Sequence, residues 1–266
     1  KYLLFDMRGL WPEEIALGLK NGRKSIIYKS LNILESYSLH HSDAIISLTN
    51  AAKNYLNKKY ELKKSIFVIP TCVDTKRFKF CSKTNAKIKR FSCIGTILSD
   101  WFLLEWLKRF IYCVHEIDDS AEFEIITRDN RDIINSKFNF PKPLSEKIII
   151  KSSAPEQIPF LIENHSASAM FFTPGISKLG SSPTRLAEIL AIGRPVICNS
   201  GVGDLNEIIE KNKVGVLVKD DKISSMKESV CKLYELISNT ETPYICRTLA
   251  EEFYSLYSGS EKYHQI

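Results

Sequence analysis

SSPTRLAEILAIGRPVI, residues 181–197, holds a helix start, a helix, a stop and the opening of a strand in one stretch. Ser182 suits the N-cap, because its hydroxyl can accept from a free backbone N–H. Pro183 suits the first helical position, where a missing N–H costs nothing. Gly193 suits the left-handed position that ends a helix, and Pro195 prevents continuation. The spacing predicts a helix over about 183–192. Leu186, Ile189 and Leu190 recur at i, i+3 and i+4 and form its buried stripe. Thr184, Arg185 and Glu188 share the other side. A strand, RPVIC (194–198), follows at once.

The same helix–strand alternation extends outward from this unit. Short β-rich runs stand at 91–95 (FSCIG), 123–127 (FEIIT), 147–151 (KIIIK), 169–173 (AMFFT) and 214–218 (VGVLV). Helical patterns lie between and after them, at 100–116, 129–136, 155–164, 204–211 and 222–237. Strands alternating with helices of this size predict a parallel sheet covered on both faces. Strands that are apolar throughout fit such a sheet. The fold class expected is α/β, with a Rossmann-like sheet in the C-terminal part.

Ligands of open parallel sheets sit beyond the C-terminal strand ends. The loop PGISKLG (174–180) leads from one strand to the helix at 183, so the helix start is expected to point into that crevice. Free N–H groups and the helix dipole favour an anion there. Arg185, in the first turn, is misplaced for the helix alone. It suits a phosphate, two of whose oxygens a guanidinium can clamp. Glu188, one turn deeper, can accept from vicinal hydroxyls such as those of a ribose. The plainer alternative is an exposed Arg185–Glu188 i,i+3 pair worth a few tenths of a kcal/mol.

Residues 1–65 read as another piece of the same kind. They hold a strand at 2–6 (YLLFD), helix over 12–41 with a break near Asn21-Gly22, a strand at 44–48 (AIISL) and a helix at 50–58. Two strands cannot bury a sheet of their own, so this part is expected to be the tail of a domain whose front precedes Lys1. SIFVIPTCVDTKRF (65–78) has the composition of an interdomain connection. The division expected is 1–70 for the N-terminal part, 71–89 for the linker, 90–240 for the second Rossmann-like domain, and 241–266 for a helical segment that packs back on the N-terminal part.

Composition narrows the function classes. Hydrophobic residues make up 44% and charged residues 26%, which fits a folded chain with a buried core. Lys plus Arg number 37 against 31 Asp plus Glu, a net +6 spread along the chain. With no run of basic residues, nucleic acid is not an expected partner. Seven cysteines, an odd count with no C-x-x-C pair, fit buried reduced thiols of a cytoplasmic protein rather than a disulfide framework or a zinc site. WFLLEWLKRFIYCV (101–114) is interrupted by Glu105, Lys108 and Arg109 and is shorter than the roughly 20 residues of a membrane span. It reads as a helix packed on a sheet.

Together these segments resemble a known family. HSDAIISLT…KKSIFVIPTCVDTKRF is similar to the end of the N-terminal domain and linker of family 4 glycosyltransferases of GT-B fold. PTRLAEILAIGRPVICNSGVGDLNEIIEKNKVGVLV is similar to their most distinctive C-terminal block, and FDMRGLWPEE resembles a stretch of some members. The resemblance spans about residues 1–255. It implies two Rossmann-like domains, transfer with retention from a UDP- or GDP-sugar, no obligatory metal and no further cofactor. The acceptor implied is a glycan or a lipid-linked glycan. A lipid-linked acceptor would bring peripheral contact with the inner face of a membrane.

By the family's pattern, Glu188 corresponds to the second glutamate of E-x7-E, which binds the donor ribose. The helix start around Ser181, Ser182 and Thr184 corresponds to the diphosphate site, with Arg185 beside it. Gly95 and Thr96 follow the first strand of the donor-binding domain. Thr127 and Arg128 end a strand near the donor, and Ser153 and Ala154 belong to the loop that holds the base. Two positions depart from the pattern. Gly180 stands where the first glutamate is expected, although SSPTR resembles a serine-rich P-T-K form found in some members. GTILSDW, from Gly95, lacks the basic residue that usually follows the glycine, which leaves diphosphate neutralisation to Arg185 and backbone amides.

Other residues carry plainer expectations. Asp204 reads as an N-cap and Asp74 as a turn former. His40 and His41 read as cations welcome at a helix end. Gly201 and Gly203 make a tight turn, or allow a donor's close approach. Arg8 is a candidate cleft contact from the N-terminal side. The competing function is a binding module that holds a nucleotide sugar or a partner without turnover. A sugar-nucleotide epimerase lacks a matching set of acid and base residues.

Overall fold

A computed structural model describes residues 2–82 and 88–266. Residues 83–87, inside the expected 71–89 connection, lie outside the described residues, as does Lys1. Two parallel sheets organise the chain. The first has three strands in the order β1 (Leu4–Met7), β2 (Ala44–Ser47), β3 (Ile66–Val68). Helices α1 (Trp11–Gly18) and α2 (Ile26–His41) connect β1 to β2, and α3 (Asn50–Tyr60) connects β2 to β3. Asn21-Gly22 breaks the helical run as its residues predict: a short 3₁₀ turn at Gly22–Lys24 separates α1 from α2.

Strand β3 corrects the reading of SIFVIP as interdomain connection. Ile66, Phe67 and Val68 pair in parallel with Ile45, Ile46 and Ser47. β-branched and aromatic residues suit a pleated, half-buried surface, and Ile66 is buried. This third strand encloses a core of Met7, Leu10, Leu39, Ile45, Ala52, Leu56 and Ile66.

The second sheet has six parallel strands: β4 (Arg90–Ile94), β5 (Glu122–Ile126), β6 (Ile148–Lys151), β7 (Ala167–Met170), β8 (Val196–Asn199) and β9 (Gly215–Val218). Their order is β6-β5-β4-β7-β8-β9, so the winding reverses between β4 and β7. This is the doubly wound Rossmann order, with its ligand crevice at that reversal. The connecting helices are α4 (Leu104–Ile117), α5 (Arg131–Phe138), α6 (Ile158–Glu163), α7 (Thr184–Ile192) and α8 (Leu205–Asn212). Then come α9 (Ile223–Ser238), α10 (Thr242–Leu249) and α11 (Leu256–His264).

Both faces of the larger sheet are covered. One core includes Phe91, Phe110, Phe123, Phe171, Met226 and Leu233. The other gathers Leu186, Ile189, Leu190, Val196, Leu205 and Tyr254. The 101–114 run packs as expected for a sheet-covering helix, with Leu107, Phe110, Ile111 and Val114 buried. Among the described residues no helix is long and apolar enough to cross a membrane. Four of the cysteines, Cys93, Cys113, Cys198 and Cys246, are buried. Strand β7 ends at Met170, short of the expected 169–173 run. There the Asn199 side chain takes over the pairing: its Oδ1 accepts from the Phe172 amide and its Nδ2 donates to the Phe172 carbonyl, both at 2.8 Å.

The C-terminal segment returns to the first sheet. Tyr263, on α11, donates from its hydroxyl to Asp6 Oδ2 at 2.9 Å, and Val73 donates its amide to the Tyr254 carbonyl at 2.7 Å.

Candidate functional site

A cleft of about 580 Å³ opens at the reversal between β4 and β7. Gly95 and Thr96, after β4, form one wall. Ser181, Ser182, Thr184 and Arg185, at the start of α7, form another. With Arg8, seven sequence-predicted residues therefore meet in one cavity. Thr127, Arg128, Ser153, Ala154 and Glu188 do not line it.

Helix α7 begins at Thr184, with Pro183 at the N-cap position and no side-chain cap. Ser182 is thus not the cap its sequence predicts. Its hydroxyl is engaged across the chain, accepting from the Thr71 amide at 3.1 Å, while Thr71 Oγ1 donates to the Ser182 carbonyl at 2.9 Å. The amides of Thr184 and Arg185 have no acceptor among the described residues, so they remain for a ligand in the cleft. Gly193 closes the helix, as predicted.

The charge of the cleft is one-sided. Arg8, Lys178 and Arg185 line it, and among the described residues no aspartate or glutamate does. Lys178 was not foreseen as a site residue: nothing in PGISKLG distinguishes it from a solvated loop lysine. The fold folds it inward, its Nζ 3.0 Å from the centre of the Trp101 ring. Burial holds its pKa below the usual lysine value, against the pull of Glu14. The β7–α7 loop thereby brings to the cleft wall a cation that GTILSDW lacks. Arg8 reaches the cleft from the end of β1, where Asp6 pairs with it at 2.9 Å.

The loop after Gly95 offers less to an anion than its position suggests. The Asp129 carboxylate already accepts from the amides of Ile97 and Leu98, at 2.6 and 3.0 Å. Thr127 supports this arrangement, accepting from the Asp129 amide at 3.0 Å. Thr127 is therefore buried beneath the loop, whereas Arg128 is exposed.

Glu188 is bound to Arg185 by an ion pair within α7. Burial raises the Glu188 pKa from its ordinary value, and Arg185 and Arg77 oppose the shift. Arg77 also donates to the Pro155 carbonyl, in the loop that contains Ser153 and Ala154. Glu188 and the 153–155 loop thus lie on the Arg77 side of the helix start rather than in the cleft.

Gly180 has a packing reason. A Cβ there would stand 3.0 Å from the Leu10 nitrogen and 3.1 Å from Gly9 Cα. The two sheets' halves touch backbone to backbone at this point, so a side chain there would push the halves apart by a few tenths of an ångström. Gly203 resolves the two readings of its turn in favour of packing. Its φ is +47°, and a Cβ would lie 2.1 Å from the Ser181 carbonyl oxygen. It supports the helix-start loop from below.

No protein-family model matches the chain, and no curated protein matches it in sequence. Solved structures match its fold. A sucrose-phosphate synthase from Thermosynechococcus elongatus aligns over 98% of this chain and 66% of its own, with a TM-score of 0.71 at 12% identity. WaaG, a glycosyltransferase involved in lipopolysaccharide biosynthesis, aligns over 97% and 73%, at 0.72 and 12%. HepE from Anabaena, in complex with UDP and glucose, aligns over 100% and 71%, at 0.66 and 12%. The chain thus spans about two thirds to three quarters of these proteins' lengths. The fold is α/β, of the GT-B type found in glycosyltransferases.

Proposed function

We propose that the chain transfers a sugar, with retention of configuration, from a nucleoside-diphosphate sugar to a glycan or lipid-linked acceptor, as a family 4-like glycosyltransferase. The observation that carries this reading is the cleft at the strand reversal, lined among the described residues by three cationic and no acidic side chains. A diphosphate matches that charge. In this reading it lies against the free amides of Thr184 and Arg185, with Arg185 and Lys178 on its oxygens and Arg8 at the rim. UDP is the first nucleotide to test, because the HepE structure holds it.

The reaction breaks the bond between the anomeric carbon and the phosphate oxygen. Charge develops on the departing diphosphate, and preorganised amides and guanidinium groups act most strongly on developing charge in a cavity shielded from water. The acceptor oxygen forms the new bond on the face the diphosphate leaves. Its proton passes to the diphosphate, since no carboxylate among the described residues lines the cleft. Glu188 fixes the ribose from the Arg77 side, and the 153–154 loop faces the base.

Titration calorimetry with UDP, GDP, ADP and CMP tests the reading. UDP or GDP is expected to bind, and Arg185→Ala and Glu188→Ala to weaken it about tenfold or more. A folded chain that binds none of the four would refute the assignment.

A further inference from the structure

The cleft has a neighbour of mixed charge. A second cavity, about 660 Å³, lies between α1 and the loops that follow β4 and β7, and it shares Trp101 and Lys178 with the cleft as a common wall. Where no aspartate or glutamate among the described residues lines the cleft, this cavity has Glu13, Glu14 and Asp100 beside Arg23 and Lys178. Glu13 is spent inside the fold: it accepts from Tyr55 and Tyr28 at 2.6 and 2.7 Å and from Arg23 at 2.8 Å. The side chains of Glu14 and Asp100 make no hydrogen bond or salt bridge among the described residues. Both face the cavity with their acceptor capacity free, one from each half of the molecule.

Free carboxylates beside an aromatic ring suit a particular ligand. A pyranose offers a C–H face that lies on an indole ring and a rim of hydroxyl donors that carboxylates accept. We infer that this cavity is the acceptor site, and that it takes a neutral, polyhydroxylated acceptor, the terminal sugar of a glycan, stacked on Trp101 with hydroxyls donated to Asp100 and Glu14. The inference rests on the transferase reading of the cleft. Trp101 and Lys178 line both cavities, so the donor's diphosphate and the acceptor sugar meet at these two residues. Acceptor choice is set at Asp100 and Glu14, which do not touch the cleft.

Saturation-transfer NMR on the full chain tests this. The probes are the methyl glycosides of α-glucose, α-galactose and N-acetyl-α-glucosamine, each with and without UDP, with UDP affinity measured in parallel. At least one glycoside is expected to receive saturation. Asp100→Asn and Glu14→Gln are each expected to weaken it about tenfold, the effect of a lost charged hydrogen bond, while UDP affinity stays within about twofold. Trp101→Phe should retain part of the glycoside signal and Trp101→Ala none. No signal from any glycoside, or a signal indifferent to Asp100→Asn, Glu14→Gln and Trp101→Ala, overturns the acceptor site. Glycoside binding that depends on these residues in a chain that does not bind UDP would keep the sugar site and sink the transferase reading instead.

Discussion

Asp204 accepts hydrogen bonds from the amides of Asn50 and Ala51, at 2.7 and 2.8 Å, and so caps a helix to which it does not belong. It sits at the start of α8 in the six-stranded half, whereas Asn50 opens α3 in the three-stranded half. Beside it, Thr49 Oγ1 accepts from the Ala52 amide at 3.1 Å and donates to the Leu179 carbonyl. A carboxylate at a helix start satisfies free amides and meets the positive end of the dipole. These two residues join the halves directly beneath the loop that carries Lys178 and Gly180.

Asp204→Ala should therefore destabilise the chain by about 1–2 kcal/mol, the usual worth of a good N-cap. Asp204→Asn should recover part of this, because its amide oxygen still accepts. Urea unfolding measures both. A loss in Asp204→Ala no larger than that of Glu207→Ala, on the same helix, would show that the cross-half cap carries no weight.

Gly180 makes a second prediction, with a sign opposite to the one its family resemblance suggests. Restoring the missing glutamate puts a side chain where Leu10 and Gly9 leave a Cβ only 3.0–3.1 Å. Overpacking against backbone costs about 1–3 kcal/mol. Gly180→Ala should lower the melting midpoint, and Gly180→Glu should lower it further without tightening UDP. A Gly180→Glu chain as stable as the native one, with tighter UDP binding, would show that the halves separate readily at this contact.

Much of this architecture was legible in advance, and the misses share a cause. Helix α7, its apolar stripe, its glycine stop and the following strand could be read because each is determined within a few residues. The alternation of strands and helices gave the parallel sheet for the same reason. Ser182 was misassigned, and Asp204, which does stand at the N-cap position of α8, caps another helix, because each spends its side chain on a distant segment, Thr71 in one case and Asn50 in the other. Lys178 was missed because its position depends on how the β7–α7 loop meets Trp101. Local chemistry names what a side chain can do, and only the tertiary fold decides for whom.

A third prediction concerns a polar cluster buried in the larger sheet. Glu124, on β5, lies 2.7 Å from His165 Nε2 and 2.6 Å from Lys151 Nζ. Burial opposes the Glu124 charge, but the hydrogen bonds from His165 and Lys151 prevail and hold its pKa down to about 2. Burial also lowers the His165 pKa, which leaves the ring a neutral donor at pH 7. A depressed carboxylate pKa gives stability that is present above the unfolded value of 4.5 and is lost as pH falls towards 2. Glu124→Gln should cost about 1–3 kcal/mol at pH 7, the worth of hydrogen bonds to a charged group. Its deficit against the native chain should shrink through that acid window. Acid titrations of both chains, followed by circular dichroism, decide it; a deficit constant with pH would refute the linkage.

Glu188 has the reverse sign, and with it a conflict between stability and function. Burial raises its pKa even though Arg185 and Arg77 lie close. A raised carboxylate pKa means that the folded state prefers the protonated form. Its stabilising contribution is present below the unfolded value and is lost as pH rises through the folded one. Glu188→Gln imitates the protonated form, so at pH 7–8 this variant should melt above the native chain, and the two should converge as pH falls below 4.5. The same change removes a charged acceptor from the ribose, and UDP affinity should fall about tenfold. A residue kept ionised at a cost to folding is what a binding role requires. If Glu188→Gln instead melts below the native chain at pH 7 and binds UDP equally well, then Glu188 serves its ion pair with Arg185 and nothing else.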